Sequence, residues 1–367
     1  MVELFDGVYK EKCVLITGDT GFKGSWLAYW LHKMGANVIG LSDGIPTQPN
    51  HFQLLKNKFQ YQSYLGNINN TSDIDKVFSE NKIDLVFHLA AQSLVRYSYN
   101  HPIETFKTNI IGTGNIIEFS GLNKQCKGII VVSSDKCYLN REDDKPYNEN
   151  DPMGGYDPYS ASKACTEIIT ESMRSSFFNV KQHGKSHNFI VTSARAGNVI
   201  GGGDWAEDRL IPDLVKNIKL KKTTTIRNPN STRPWQHVLE PISGYLMLGK
   251  LILQNNISVA RAWNFGPENN MTLSVHEVLS IAKKNWDKLD YSFSNTENNM
   301  HESKFLRLDT NLALDELKWK PVWSINEAIE KTMNWYREYY EENRIISENQ
   351  IEEYILDAKL KDLTWTK

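Results

Sequence analysis

Short, largely apolar runs alternate with helical patterns along the first two hundred residues. Cys13–Thr17 (CVLIT), Asn37–Leu41 (NVIGL), Leu85–Leu89 (LVFHL), Ile129–Ser133 (IIVVS) and Phe189–Ala194 (FIVTSA) read as strands. Their continuous rather than alternating hydrophobicity is that of strands covered on both faces. Between them, Phe22–Met34 puts Leu27, Trp30, Leu31 and Met34 on one helical face, and further helices are predicted at about Asn109–Phe119 and over Tyr159–Ser175. Strand and helix alternating at this spacing predict an α/β chain built on a doubly wound parallel sheet over residues 1–200. Past Gly201 the texture changes: loops lengthen, Pro212, Pro229, Pro234, Pro241 and Pro267 cluster, and the remaining elements look mostly helical. This predicts a smaller C-terminal lobe over 201–335, with about 235–266 returning to the sheet because Arg261–Phe265 (RAWNF) resembles a strand. The last stretch, 336–367, is highly charged with scattered Ile, Leu and Trp, and reads as a surface helix or tail. No internal repeat or low-complexity tract interrupts the chain.

Composition narrows the classes. At 367 residues with 40% hydrophobic and 23% charged residues, the chain can bury a sizeable core and is not disordered by composition. Lys+Arg is 42 against Asp+Glu 44, which gives no reason to expect bulk attachment to nucleic acid or an anionic membrane. The cysteines, Cys13, Cys126, Cys137 and Cys165, are widely spaced without a CxxC pair, unlike a disulfide scaffold or a zinc site, and read as free thiols in a reducing compartment. Met1–Lys12 is charged and lacks the apolar stretch of a signal peptide, and no apolar run approaches the ~20 residues of a membrane span. A soluble cytoplasmic protein without a metal is expected, since no HExxH or carboxylate cluster occurs.

Two motifs carry chemistry. Thr17-Gly18-Asp19-Thr20-Gly21-Phe22-Lys23-Gly24 follows the first predicted strand and opens the first helix. Glycines spaced GxxGxxG are weak by themselves and can serve a turn that binds nothing; the strand before and helix after make them a dinucleotide loop. Gly18 and Gly21 let backbone approach a pyrophosphate, Gly24 lets helix pack on strand, and the helix N-terminus faces the phosphates. Asp43, just past the second strand, stands where an acidic residue meets the adenosine ribose, which favours NAD over NADP. The second motif is Tyr159-Ser160-Ala161-Ser162-Lys163, a YxxxK pair whose members share a helix face. An ammonium beside a phenol favours the phenolate and makes it a usable base. Ser133-Ser134-Asp135-Lys136 lies at the C-terminal end of a strand, where open α/β sheets place their ligands.

Together these features resemble the extended short-chain dehydrogenase/reductase family, with its Rossmann-type fold, and within it the nucleotide-sugar 4,6-dehydratases. The likeness runs from about Glu11 to Trp335 and includes Leu89-Ala90-Ala91-Gln92, Thr108-Asn109 and Ala194-Arg195-Ala196-Gly197-Asn198-Val199. Five stretches are similar to the CDP-glucose branch: Gly21–Trp26, Ser134–Tyr138, Gly154–Tyr159, Gly201–Ala206 and Arg233–Pro241. The resemblance implies oxidation of a hexose at C4, elimination of water across C5 and C6, and return of the hydride to C6, in deoxysugar biosynthesis for surface polysaccharide. It implies Tyr159 as the base at the C4 hydroxyl, Ser134 on the same oxygen, Lys163 on the nicotinamide ribose, and Asp135 as the acid at C6. NAD contacts are implied at Thr17, Gly18, Thr20, Gly21, Phe22, Lys23, Gly24, Asp43, Asn67, Ile68, Leu89, Ala90, Ala91 and Thr108, besides Tyr159 and Lys163.

Two positions depart from the wider family. Lys136 stands where most members carry the Glu that acts as C5 base, as it does in the CDP-glucose branch; a lysine acts as a base only with a depressed pKa, and otherwise stabilises the enolate electrostatically. Asn67 replaces the usual Asp at the adenine amino group, and its amide oxygen can still accept that hydrogen bond. Gln92, Asn198, Arg209, Arg227, Arg233, His237 and Arg307 are candidates for the nucleotide-sugar, with Arg233 foremost because it lies in the RPWQHV match. An isolated Arg is as readily a solvated charge, Trp205 and Trp235 as readily core, and His88, inside an apolar strand, reads as a core histidine. A related dehydratase or epimerase acting on dTDP-, GDP- or UDP-sugars, and a catalytically silent NAD-binding sensor, stay open. The family commonly pairs as a homodimer, sometimes a tetramer, through helices such as Asn109–Phe119 and Tyr159–Ser175.

Overall fold

The computed structural model describes residues 1–56, 58–141, 145–268, 271–294 and 306–367. Its elements in chain order are β1 (Cys13–Thr17), α1 (Phe22–Lys33), β2 (Asn37–Ser42), β3 (Gln62–Leu65), α2 (Thr71–Glu80), β4 (Leu85–His88), α3 (Thr113–Leu122), β5 (Gly128–Val132), α4 (Pro158–Ser176), β6 (Ile190–Ala196), α5 (Leu210–Leu220), α6 (Leu239–Leu253), β7 (Ala262–Phe265), α7 (Ile325–Glu342) and α8 (Ser347–Leu360), with shorter turns and strands between. The strands form one seven-stranded parallel sheet in the order β7-β6-β5-β4-β1-β2-β3. Chain direction across the sheet reverses between β1 and β4, and a crevice opens there beyond the strands' C-terminal ends.

Successive side chains of a strand point to opposite faces, and β1 shows it. Leu15 joins Ile39, Val86 and Ile129 against Ile74 and Val77 of α2 and Ile116 of α3, while Val14 and Ile16 join Phe87 and Ile130 against α1 and α6. Both faces are covered, which is why the strand sequences are continuously apolar. β7 pairs with β6, Ala262 opposite Ser193 and Phe265 opposite Ala196, so residues 239–265 rejoin the main sheet.

Two elements differ from the sequence reading. The edge strand β3 (QSYL) carries no apolar run, because an edge strand with polar cover need not. The helix expected from Asn109 instead runs from Pro102 to Leu122 and passes through a π-helical segment at Lys107–Gly112. Such segments occur at functional sites, and Thr108 faces the cleft from it.

The charged terminal stretch forms the helix read for it, but with one face buried rather than solvated. In α8, Ile351, Tyr354, Ile355 and Ala358 recur at helical spacing and are buried. Trp365, fully buried, stacks on Phe5 (ring centroids 5.2 Å) and Tyr354 (5.8 Å) and meets Trp30 edge-on. The outer face of α1 is therefore covered too, and Trp26–Leu31 are all buried. Trp365→Ala should leave a cavity and lower unfolding free energy by about 3 kcal/mol, read from the urea midpoint; an unchanged midpoint would show that the C-terminal segment is not part of the core.

Candidate active site

A cavity of about 990 Å³ lies along the crevice beyond the C-terminal ends of the sheet strands. That is the upper end for a pocket holding one small ligand, so two elongated ligands meeting end to end fit its extent. It is lined by the glycine loop and the β4, β5 and α4 ends on one side, and by residues 196–213 and 224–233 on the other. Every residue expected to contact cofactor or substrate lines it except three.

Those three are placed elsewhere for clear reasons. Thr17 is fully buried: its hydroxyl bonds Nδ1 of His88 at 2.7 Å and accepts from the Ala90 amide at 3.2 Å, tying the end of β1 to the end of β4. His237 sits in the core against Trp323 (4.8 Å) and Trp26 (6.1 Å), and burial lowers its imidazole to about pKa 3, so it carries no charge for a phosphate. Arg307 lies outside the lining, where its carbonyl accepts from the Tyr147 amide; its neighbour Leu306 faces the cavity instead. His88 is a satisfied core histidine, its Nε2 bonding Thr113 at 3.0 Å.

The glycine loop shows why its spacing matters. Gly18 has φ +75°, and a Cβ there would lie 2.7 Å from the Ala90 nitrogen. A Cβ on Gly24 would lie 2.1 Å from the Gly18 carbonyl oxygen. The first turn of α1 is thereby pressed onto the loop, with its unpartnered N–H groups at the cavity. Beneath the loop, Asp19 accepts from Ser42 (2.5 Å), Ser63 (2.7 Å) and Tyr61 (2.9 Å), and Gly40 leaves the space its carboxylate fills. The sequence reading passed over Asp19; the one signal was a charged residue inside a turn that otherwise needs none. Near the C-terminal end of β3, Asn67 also lines the cavity, and its Oδ1 accepts from the Asn69 amide at 2.8 Å within its own turn.

At the other end of the loop, ionisable groups converge. Asp135 is buried, its Oδ1 accepts from Ser134 at 2.9 Å, and its Oδ2 has no partner among the described residues. Burial raises its carboxyl, opposed by Lys136, Ser134 and Arg233. Burial lowers the Lys163 amine to about 8. Lys23 falls to about 7 through burial, with Arg209 and Lys163 pushing the same way. Tyr159 rises to about 12: burial outweighs the Ser134 hydrogen bond and the Arg209 charge. This differs from the expectation of a phenol lowered by its lysine neighbour, because desolvation of the phenolate dominates here.

The framework under these groups also went unread. Glu167, one turn beyond Lys163, pairs with Arg195 at 2.8 Å and accepts from Ser133 and, at 2.8 Å, Ser193. Burial works against its charge, but Arg195 and these bonds hold the carboxyl below the usual range. Arg195 also donates to Tyr138 at 2.7 Å. Asn109 pins the Gln92 backbone (2.8 and 2.9 Å) and Ser162 (2.8 Å), joining the β4 loop to α4. Toward the C-terminal lobe, Arg209 pairs with Asp204 at 2.9 Å, while Arg96 (3.1 Å) and Arg227 (3.5 Å) share one oxygen of Asp208.

The family model for GDP-mannose 4,6 dehydratase matches residues 15–332. The chain belongs to this nucleotide-sugar dehydratase family. It is 40% identical over 349 residues to the CDP-glucose 4,6-dehydratase of Salmonella typhimurium, covering 95% of this chain and 97% of that one. It is 27% identical to the dTDP-D-glucose 4,6-dehydratase of Dictyostelium discoideum, over 90% of this chain and 83% of that one. Among solved structures, an epimerase of Methanothermobacter thermautotrophicus superposes with TM-score 0.78 at 23% identity (91% and 94% covered). A dTDP-glucose 4,6-dehydratase of Streptomyces venezuelae, solved with NAD, superposes at 0.73 and 21% (90% and 100% covered).

Gly24→Ala tests the loop. The added methyl meets backbone, not a movable side chain, so the loop must open. NAD affinity should fall more than about tenfold by calorimetric titration, with far-UV circular dichroism unchanged. Wild-type affinity in that variant would place the dinucleotide elsewhere.

Proposed function

We propose that the chain is an NAD-dependent hydro-lyase that converts CDP-glucose to CDP-4-keto-6-deoxyglucose and water, acting in deoxysugar biosynthesis for surface polysaccharide such as lipopolysaccharide O-antigen. One observation carries the choice of dehydratase over epimerase: the buried carboxyl of Asp135 stands near Tyr159 and Lys23, with one oxygen without a partner among the described residues. A C4 epimerase has no leaving hydroxyl to protonate. Elimination of water requires an acid at the leaving oxygen, and burial shifts this carboxyl in the direction that favours its protonated form.

The cradle fits NAD. Gly18 and Gly24 let the loop close onto Ala90 and the first turn of α1 close onto the loop, so that backbone N–H groups there would hold a pyrophosphate. Asp43 would take the adenosine ribose, Asn67 and Ile68 would border the adenine, and Leu89, Ala90, Ala91 and Thr108 would complete the wall. Bound there, NAD supplies the hydride acceptor for C4 and the donor for C6. Tyr159 takes the C4 hydroxyl proton, with Ser134 hydrogen-bonding the same oxygen and Lys163 holding the nicotinamide ribose. A ketone at C4 acidifies the C5 proton, and Lys136 serves that step either as its base or as the charge that stabilises the enolate. Asp135 delivers its proton to the C6 oxygen as water leaves. Arg209 and Arg233 hold the substrate diphosphate, where a planar guanidinium gives paired, charge-assisted bonds.

Among the described residues no helix is long and apolar enough to cross a membrane, and no cluster of metal-binding side chains occurs. Exposed Ile103, Ile111, Leu122, Ile168 and Phe177 lie on or beside the helices 102–122 and 158–176 and support a homodimer paired through them.

Purified protein with CDP-glucose should yield a 4-keto-6-deoxy sugar without net NADH. Tyr159→Phe should lower kcat at least about a hundredfold while NAD stays bound; stoichiometric NADH from the wild type, or full activity in the variant, contradicts the cycle. Lys136→Met should block solvent deuterium exchange at C5. Exchange at the wild-type rate would leave this lysine only an electrostatic role.

A further inference from the structure

Sugar chemistry at Tyr159 and diphosphate at Arg209 leave the nucleoside to occupy the cavity beyond Arg209. Its walls there include Leu210, Asp213, Thr224, Ile226 and Arg227. Asp213 lies in the first turn of α5, and Asn217 lies four residues on, on the same helix face. Asn217 Nδ2 donates to Thr224 Oγ1 at 2.9 Å, so this face looks onto the strand Thr224–Ile226. Asp213 therefore overlooks the same slot, one turn nearer the diphosphate. It is half-buried, and among the described residues its carboxylate has no hydrogen-bond or ion-pair partner. The nearest cations are otherwise engaged: Arg96 and Arg227 share Asp208, and Lys216 only tempers the charge. Burial pushes the carboxyl up to about 6, with Asp208 and Glu207 adding to the shift. An acceptor partly withdrawn from water with no donor is costly unless a ligand supplies one.

Pyrimidine bases differ at the atom that matters. Cytosine presents a 4-amino donor where uracil and thymine present a 4-keto acceptor. We propose that Asp213 is the specificity-determining residue for the base: its carboxylate accepts a hydrogen bond from the cytosine 4-amino group and repels the 4-keto oxygen of uracil or thymine. The inference rests on the dehydratase reading for the direction in which substrate lies, and deepens it by naming what reads the nucleotide.

The test uses binding of CDP and UDP to the NAD-loaded protein by calorimetric titration. Wild type should prefer CDP by at least about tenfold. Asp213→Asn keeps the shape but offers an amide that can also donate to a 4-keto oxygen, so CDP should weaken about tenfold, UDP should not, and the preference should collapse. Asp213→Ala should collapse it as well. Unchanged thermal midpoints and NAD titrations establish that the variants are folded. An unchanged CDP-to-UDP ratio in both variants overturns the inference, as does equal loss of both nucleotides, which would put the carboxylate on the shared ribose. So does a wild type that does not distinguish the two. Because the readout is nucleotide binding, absence of 4-keto-6-deoxy product would sink the dehydratase reading while leaving base selection standing. Turnover of CDP-glucose with unaltered selection in the variants would do the reverse.

Discussion

Asp135, Tyr159, Lys163 and Lys23 meet in a cleft that takes each of them out of water, and the cost of charge in that setting orders the rest of the site. Burial raises the acids and lowers the amines, so Lys163 comes to about 8, Lys23 to about 7, and Asp135 moves up from the ordinary carboxylate range. Groups that would be idle near neutral pH are brought toward proton exchange chiefly by desolvation, with neighbouring cations adding to it at Lys23. The same physics sets Tyr159 at about 12, against the direction a base needs. A phenolate there depends on positive charge close to the phenol; Arg209 already acts in that direction, against Asp135.

Holding such groups dry demands a rigid floor. Glu167 and Arg195 supply it as a buried pair whose remaining valences are met by Ser133, Ser193 and Tyr138. A buried pair of this kind adds little net stability over apolar packing, but loss of one partner strands the other. Its consequence is geometric: β5, β6 and α4 are locked together immediately behind Ser134 and Lys163.

The parts of this arrangement written in local sequence were legible there. Inner strands announced themselves by apolar runs, the loop by glycines between strand and helix, and the Tyr159–Lys163 pair by a spacing that a helix alone makes meaningful. What depended on distant partners was not. β3 lacks an apolar signature because it lies at the edge. Asp19 looks anomalous until Ser42, Ser63 and Tyr61 come round it from β2 and β3. His237 and Arg307 belong to motif-rich or basic surroundings yet lie off the cavity, since a resemblance fixes position along the chain and not the direction of a side chain. The charge of 336–367 concealed its periodic apolar face, which is complementary to an unusually aromatic α1.

That terminal segment bears on the chemistry as well as on the core. Arg209 is presented by residues 201–209, and this stretch is seated on α7. A Cβ on Gly202 would lie 1.9 Å from Trp335, so only glycine lets the backbone settle there. The Tyr336 hydroxyl accepts from the Asp204 amide at 3.0 Å and donates to the Asp204 carbonyl at 2.5 Å, while the Asp204 side chain holds Arg209. Trp26 of α1 donates to the Gly202 carbonyl from the other side. α7 is in turn tied to α8 through the Trp335 indole on Ser347, which also bonds His51. Arg209, which lines the cavity, is thus held by a chain of aromatic and backbone contacts that runs to the C-terminal helix. This explains why a stretch so charged keeps its buried aromatic residues: without them the loop that presents Arg209 would lose its seat.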